Sequence, residues 1–422
     1  DTKGDTLLYS KHLEAGVAFA PLLSTGNISI TKLDWDGLVA RVNRTTESEK
    51  FNYLFFIEAF TTQNEGAIDV AVDTTSSKPL QIKLSPISLR NIDITYVDEI
   101  LGIDASILLG EMDVTIPGLD LEKYEFNIKK VAVQNARIKY HQTKPELPEA
   151  NLHTQTVKLR TLALEKSTIL FHDFSVASQS DSLITNESAP FEWPDWIVEA
   201  EKISIDSTDI EYKSADVAVR KGQFNPEVIV LSNLTLGAED LFLKDKKVGA
   251  KLQKFHFQEG SGFELKELHF GFEAGSNSAQ LDDFVLTTNR SKLDAEISLD
   301  YPSIQSLIDD YETLKFDLTV NESTLDVRDG YFFDPTLAQD TLIRELAKAP
   351  IILDLSANGD LKAMNISSLN LNWGESIFNA SGKVQNPMDV DLLVFDFPKL
   401  NLQTNRETLL KFIKEEDYGV KF

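Results

Sequence analysis

The chain has 422 residues, with 41 Lys or Arg against 67 Asp or Glu, so its formal net charge is −26. This charge disfavours nucleic-acid binding by a basic face, because contacts with phosphate would meet net repulsion. The absence of cysteine excludes disulfides, thiolate nucleophiles and Cys-ligated zinc, while a hydrophobic share of 42% is too high for a disordered chain.

Residues 1–79 are predicted to form strands and one short capping helix. Apolar and polar residues alternate in short runs over the first half of this segment, which is typical of strands with one face against apolar material. Asp36-Gly37 is a turn signal that favours a hairpin. Helical spacing predicts a helix over 51–60, capped by Ser48, and the polar stretch 64–78 is expected to be a loop.

A phrase recurs within residues 80–300, which are predicted to form a repetitive β-groove. In each copy an apolar residue alternates with a polar one, a polar step follows, and the alternation resumes with opposite parity towards a Tyr. The copies are 86–96, 130–140 and 202–212, with their polar steps at Asn91, Asn135 and Ser207. A change of parity without a long loop predicts a bulge or a tight corner, which keeps the apolar side chains on one face of a bending sheet.

Residues 301–350 are predicted to be helical insertions among strands, and residues 351–422 to continue the groove and close with an amphipathic helix. The predicted elements are helices over 303–314, 335–349 and 407–416 and strands over 351–402. Pro350 ends the second helix, because proline cannot continue the hydrogen-bond ladder.

These patterns together predict a mostly β protein with an elongated, curved antiparallel sheet, solenoid-like in its repetition, and a few short helices. The sheet is expected to form a groove whose inner face is apolar and chemically monotonous. The predicted lining residues are Ile87, Leu89, Ile92, Ile94, Val131, Val133, Ile138, Ile203, Ile205 and Ile210. The core of a closed sandwich or barrel is the alternative origin of such alternating faces.

No arrangement of catalytic residues is recognised, and we expect no enzyme activity, metal or cofactor. The six histidines form no His-x-x-x-His pair, and neither a Gly-x-Ser-x-Gly elbow nor a Gly-rich phosphate loop occurs. Pairs such as Asp34-x-Asp36 place two carboxylates on one strand face, but a calcium site needs six or more oxygens. Trp193 and Trp196, in a Pro-flanked stretch, are interpreted as a plug over one end of the groove.

Several short strings resemble the TamB/AsmA-like translocation and assembly module family, in its Bacteroidota type. The opening residues 1–11 are similar to the family's D-x-x-G-D-T-L-L-Y phrase, and residues 92–98 resemble its I-x-Y-x-D unit. Similar strings occur at 52–60, 301–304, 333–337 and, as G-x-V-x-N-P, at 379–387. The order of these motifs is more specific than any one of them.

The resemblance implies a segment of a larger protein that is anchored in the inner membrane and projects across the periplasm of the cell envelope. It implies a taco-shaped sheet with a hydrophobic groove, whose partners are phospholipid acyl chains. Family members are also implicated in outer-membrane protein assembly with a barrel partner of the TamA type. The membrane anchor and the C-terminal module that docks this barrel are expected to lie outside the chain.

The residue patterns and the resemblance together leave more than one function open. The first is a non-enzymatic periplasmic bridge for phospholipid, whose roughly 30 methylenes at about 0.8 kcal/mol each cost on the order of 25 kcal/mol to expose to water. The second is a periplasmic scaffold or chaperone that pairs a strand edge with an outer-membrane client. A polysaccharide-binding or hydrolytic β protein would need clustered exposed aromatics and paired carboxylates, and only four Trp occur.

Overall fold

The computed structural model describes residues 6–17, 29–54, 83–120, 124–144, 156–175, 191–309, 311–389 and 391–412. Strands hold 67% and helices 10% of the described residues, which confirms the prediction of a mostly β protein. The chain divides into two compact units. Unit 1 comprises residues 1–184, 195–218 and 226–235, and unit 2 comprises residues 185–194, 219–225 and 236–422.

Unit 1 is a sheet in which most strands have ten or more residues. They are β1 (Leu8–Val17), β2 (Ser29–Arg44), β3 (Lys83–Asp98), β4 (Ile103–Ile116), β5 (Gly118–Asp120), β6 (Glu125–Gln142), β7 (Thr156–Glu165), β8 (Thr168–Asp173), β9 (Ile197–Lys213) and the first part of β10 (Val228–Lys244). The pairing runs from β1 through β2, β3 and β4 to β6, with short β5 also on β6. β6 then pairs with both β7 and β8, and each of these pairs with β9.

The expectation of a wholly antiparallel sheet is wrong for unit 1. The pairs β2–β3, β6–β7, β6–β8, β7–β9 and β8–β9 are all parallel. Parallel neighbours need a crossover of about a dozen residues or more, and the connections 45–82, 143–155 and 174–196 are long enough to supply it. Strand pairing of this kind is non-local, so the alternation of residues along a strand carries no information about it.

A line of left-handed residues crosses unit 1, and we call it the corner row. Its members with positive φ, between 47° and 71°, are Gly37, Asn91, Asn135, Lys166 and Ser207. The predicted polar steps of the repeated phrase are therefore corners, as the change of parity required. In each parallel pair, the difference in residue number between paired residues is the same on both sides of the corner. These corners therefore turn the strands without the extra residue of a bulge.

The predicted hairpin at Asp36-Gly37 is wrong, because these residues lie inside the continuous strand β2. Gly37 has φ +71°, and a Cβ added there would lie 2.7 Å from the Cβ of Lys11. An Asp-Gly pair favours the left-handed conformation in a hairpin turn, and the same preference serves a corner within a strand.

The core of unit 1 lies directly beside the corner row. Leu38, Ile92, Leu109 and Ala136 are buried and form one cluster, against which side chains from the flanking positions pack. Farther along the row, Ser167 and Thr208 are also buried. The hydroxyl groups of these two residues donate to the backbone carbonyls of Glu165 and Asp206, at 2.9 and 3.2 Å, which satisfies them inside the sheet.

Unit 2 contains the rest of β10 and a meander of antiparallel strands. They are β11 (Lys247–Glu259), β12 (Glu264–Leu265), β13 (Glu267–Ala274), β14 (Ser278–Thr287), β15 (Lys292–Asp300), β16 (Lys315–Leu325), β17 (Ile351–Asp360), β18 (Ala363–Trp373), β19 (Ser376–Gln385) and β20 (Val394–Gln403). Each successive pair from β13 to β20 contains a register shift, as at Asp283 and Glu322, which both have positive φ. Unit 2 thus bends by true bulges.

The predicted helices of unit 2 are present, and the first two are shorter than expected. They are α1 (Ile304–Asp309) with a 3-10 turn at Tyr311–Thr313, a 3-10 helix at Pro335–Gln339 followed by α2 (Thr341–Leu346), and α3 (Arg406–Phe412). A further 3-10 helix at Val327–Phe332 was not predicted. The second predicted helix is divided because the Asp340 side chain accepts from the Ile343 N–H and starts a new helix there.

Some predictions fall outside the described residues. These are residues 55–60 of the predicted capping helix, the loop over 64–78, and the end of the last helix after Phe412. Of the predicted capping helix, Phe51 forms a bridge to Arg44 and begins a turn.

Candidate functional site

Apolar side chains from neighbouring strands of unit 1 stand level with one another and form three rows. Row 1 is Ala15, Leu33, Ile87, Val114, Val131, Leu162 and Ile203. Row 2 is Leu13, Trp35, Leu89, Met112, Val133, Leu164 and Ile205. Row 3, on the other side of the corner row, is Leu8, Ala40, Ile94, Ile107, Ile138, Ile169 and Ile210.

The three rows and the buried cluster make one surface, which we call the apolar face. Side chains of rows 2 and 3, such as Leu89 and Ile94, pack against the same buried cluster and so lie on the same side of the sheet. The structure brings all ten predicted lining residues together on this face. Nine of them belong to rows 1 to 3, and Ile92 belongs to the buried cluster.

The apolar face is only partly shielded from water. Ile92 is 2% exposed, whereas the other nine predicted lining residues are half-buried. Ile107 in the middle of row 3 is 39% exposed. Side chains at the centre of a closed sandwich are fully buried by the facing sheet, so this exposure differs from that of a sealed core.

An aromatic row borders the apolar face beyond row 3. Tyr140, Phe171 and Tyr212 stand level on β6, β8 and β9, with stacked rings whose centroids are 5.2 and 6.1 Å apart. The Tyr96 hydroxyl, level with them on β3, donates to the Asp98 carboxylate at 3.1 Å. Burial and this carboxylate raise the pKa of Tyr96. The Tyr that ends each copy of the repeated phrase therefore belongs to this row.

The opposite face of unit 1 carries ion pairs. Asp34 accepts from Arg90 at 2.5 Å, and Asp36 accepts from Lys11 at 2.8 Å and from the Asn91 side chain at 2.7 Å. The Lys11 and Asn91 hydrogen bonds lower the pKa of Asp36. Both carboxylates of the Asp34-x-Asp36 pair are thus engaged by cations and amides of neighbouring strands, and they face away from the apolar rows.

Two of the six histidines lie close together on this opposite face. The rings of His141 and His172 are 5.9 Å apart, and the His172 ring nitrogen lies 2.8 Å from Glu211. Lys213 and, more weakly, His172 lower the pKa of Glu211. Within the described ranges, no group of three or more His, Asp or Glu side chains has a geometry that would hold a metal ion.

A cavity of about 460 Å³ lies where β6, β7 and β9 continue past row 1. Its lining mixes apolar and charged side chains, namely Ile128 and Leu159 with Lys129, Lys158, Arg160, Glu199 and Glu201. These residues could not be grouped from the sequence, because only the parallel register of the three strands brings them together. The one available signal was a second change of parity, from Ile128 to Val131, at the start of the repeated phrase.

Trp193 belongs to unit 2 and Trp196 belongs to unit 1, so each is described within its own unit. In unit 2, the Trp193 ring contacts Phe191 edge-on, with centroids 5.5 Å apart. The Phe191 N–H donates to the Gln305 side chain of α1 at 2.5 Å. Trp193 therefore belongs to a small aromatic contact beside α1.

Comparisons with known proteins found no match among protein-family models, curated proteins or solved structures. In the ranges that the structure describes, every helix is too short or too polar to cross a bilayer.

Proposed function

We propose that the apolar face of unit 1 binds the acyl chains of phospholipid, and that the chain is a non-enzymatic part of a bridge that carries phospholipid between the inner and outer membranes. One observation carries this proposal. Rows 1 to 3 present apolar side chains from seven strand positions in register, and all of them except Val114 are at least partly exposed.

The direction of the rows suits a long, flexible passenger. Six steps between strands at about 4.8 Å give each row a length of about 29 Å. Each acyl methylene that leaves water gains about 0.8 kcal/mol, and similar side chains along a row supply similar contacts at every step. A passenger therefore meets no single deep site that would trap it, and its movement needs no ATP.

The resemblance to the TamB/AsmA-like family supports a place in the cell envelope for this activity. We extend the proposal accordingly to a periplasmic segment with a taco-shaped groove, whose parent protein is anchored in the inner membrane. The extended proposal includes an outer-membrane barrel partner of the TamA type.

The test is lipid retention by matched variants of one strand. Ile138→Asp places a charge in row 3, whereas Arg137→Asp places the same side chain on the opposite face of β6 at the adjacent position. We expect phospholipid to copurify with the wild-type protein and with Arg137→Asp, as measured by native mass spectrometry, and to be lost from Ile138→Asp. Ile138→Ala, which adds no charge, should retain it.

Circular dichroism and thermal unfolding of the same preparations separate loss of lipid from loss of fold. A wild-type protein that carries no phospholipid overturns the proposal. So does a folded Ile138→Asp variant that carries as much phospholipid as the wild type.

A scaffold or chaperone for outer-membrane clients is the second candidate, and exposed edge strands favour it. Among the described residues, β1 pairs only with β2, and β20 pairs only with β19. Leu8 on β1 is 62% exposed and Phe395 on β20 is 60% exposed. Unpaired strand edges with apolar side chains accept an added strand. A photo-crosslinker at Tyr9 or Leu400 should then capture an unfolded β-barrel client, and the protein should carry no lipid.

A further inference from the structure

The apolar face of unit 1 becomes polar at one end of its strands. Beyond row 3 lies the aromatic row, and two residues past that row a further line of level side chains follows, which we call the polar line. Its members are Arg44, Asp98, Gln142 and Asp173. The Tyr96 hydroxyl donates to Asp98, and the Tyr140 hydroxyl donates to Gln142. Row 3, the aromatic row and the polar line therefore share one face of the sheet.

The opposite end of the same face stays apolar. Lys129 and Lys130 on β6 are both exposed, and so are Glu201 and Lys202 on β9, whereas the residues that flank each pair are half-buried or buried. Two successive exposed residues change the parity, so the apolar side chains beyond row 1 remain on the face of row 1. They form two further lines, namely Ile128, Leu159 and Ala200, and then Phe126, Val157 and Val198.

This difference between the two ends favours one orientation of an amphipathic ligand. A phosphate among aliphatic side chains loses its hydration without gaining a hydrogen-bond partner, whereas beside polar groups and water it keeps both. Tyrosine suits the boundary between an apolar and a hydrated region, because its ring is apolar and its hydroxyl is polar. The aromatic row stands at that boundary.

We propose that phospholipid binds the apolar face in a single orientation, with its phosphate end at the aromatic row and its acyl chains directed across row 3 towards row 2. This inference rests on the proposed function, and it adds which end of the strands receives the polar part of the ligand. As the lipid moves along the rows, its phosphate then follows the aromatic row from strand to strand.

The aromatic row and its edge carry donors for such a phosphate. Within the described part of the chain, the Tyr212 hydroxyl has no hydrogen-bond partner, so it can donate to a phosphate or ester oxygen. The exposed Lys144 ammonium, just past the end of β6, donates to the carbonyls of Glu99 and Ile100 at 2.6 and 3.1 Å. An ammonium has three donors, so one remains for a phosphate.

The length of an acyl chain agrees with this placement. One leaflet is half of the hydrocarbon core of a bilayer, or about 15 Å, and an extended chain reaches farther. At about 3.3 Å per residue, 15 Å covers four to five residues of a strand. Ala105 stands level with Tyr96 and Tyr140, so on β4 a chain that starts there crosses row 3 and the buried cluster and ends towards Met112 in row 2.

The test locates the two ends of a bound phospholipid by fluorescence quenching. The chain has no cysteine, so a bimane fluorophore can be attached to the full chain at one introduced cysteine. The variants are Ala105→Cys in the aromatic row, Met112→Cys in row 2, Val157→Cys at the apolar end and, as the control, Ser106→Cys on the opposite face. Each is loaded with phospholipid that carries a nitroxide either on the headgroup or near the end of one acyl chain.

We expect the headgroup nitroxide to quench bimane at position 105 severalfold more than at positions 112 and 157. The chain-end nitroxide should quench most at position 112, and neither lipid should quench at position 106. In a second measurement, Tyr212→Phe should weaken phospholipid binding about fivefold, the factor expected for one net hydrogen bond. Tyr9→Phe, which removes a hydroxyl from the opposite face of β1, should bind as the wild type does.

Headgroup quenching at position 157 that equals or exceeds that at position 105 overturns the orientation, while lipid binding on the apolar face stands. Unchanged binding by Tyr212→Phe contradicts a polar end of the ligand at the aromatic row. If no variant is quenched by either lipid, and native mass spectrometry of the folded wild type finds no phospholipid, the proposed function itself fails.

Discussion

Replacement of Asp98 by Asn tests how unit 1 holds the turn between β3 and β4. The Asp98 side chain is 0% exposed. Its carboxylate accepts from the Arg44 Nε at 3.0 Å, from the Tyr96 hydroxyl at 3.1 Å, and from the N–H groups of Ile100 and Leu101 at 3.0 and 3.1 Å. One carboxylate therefore joins β2, β3 and the turn that follows.

The pKa of Asp98 gives the size of the expected effect. Burial alone raises this pKa, but hydrogen bonds from Arg44, Leu101 and Tyr96 outweigh burial and lower it from 3.8 to about 2. A lowered pKa means that the ionised carboxylate stabilises the folded state above pH 4, and that this contribution is lost as the pH falls from about 4 to about 2. The difference corresponds to about 2 kcal/mol of unfolding free energy.

Asp98→Asn should therefore lower the unfolding free energy by about 2 kcal/mol at pH 7, and the difference from the wild type should shrink towards pH 2. Urea titrations at pH 7, 4 and 2.5 measure this, and hydrogen exchange at Ile100 and Leu101 reports on the turn itself. Asp216→Asn is the control, since Asp216 is exposed and accepts no described side-chain hydrogen bond. A pH-independent loss, or equal losses for Asp98→Asn and Asp216→Asn, would refute the reasoning.

Three further substitutions test other contacts. Gly110→Ala should lower the unfolding free energy by about 1 to 3 kcal/mol, because the new Cβ would lie 2.8 Å from the Cβ of Asn135. An unchanged midpoint of thermal unfolding would contradict a tight approach at the corner row. Asn135→Val should lower the unfolding free energy by about 1 to 2 kcal/mol because the φ of residue 135 is 53°, whereas Asn135→Gly should be tolerated. Equal losses for the two variants would count against a left-handed corner. Asp329→Ala removes an acceptor for the hydroxyls of Thr288 and Ser291 at 2.5 and 2.8 Å. It should lower the unfolding free energy by about 3 kcal/mol and speed hydrogen exchange in the β14–β15 turn. Unchanged exchange there would show that the carboxylate does not hold the turn.

Local features of the fold could be predicted from the sequence where a residue type strongly favours one backbone conformation. A parity change at Asn91 or Asn135 predicts a corner, since asparagine tolerates the left-handed conformation. The equivalent corner at Lys166 was missed, because lysine carries no such preference. Whether neighbouring strands run parallel depends on the path of the connection between them. The residues within β3 or β6 do not determine that path.

The candidate site also contains residues that could be predicted from the sequence and residues that could not. The common face of the ten predicted lining residues was predictable, because period-two alternation assigns a face to each side chain. The register between strands then places nine of them in rows. Lys129, Arg160 and Glu201 lie in three separate strands, and each on its own is an ordinary charged residue of a strand. Only the parallel offsets between β6, β7 and β9 bring them together.

The unchanged offset across the corner row has a consequence for how such a sheet can evolve. A duplicated strand would present its aliphatic side chains at the same heights as its template, and its left-handed residue would fall in line without adjustment elsewhere. Insertion or deletion of a strand that crosses the corner row, such as β3 or β6, then changes the number of positions in each of rows 1 to 3 by one and leaves the remaining positions intact. Growth by internal duplication is therefore open to unit 1 at little structural cost, whereas loss of a single residue within a strand would displace half of its side chains to the wrong side.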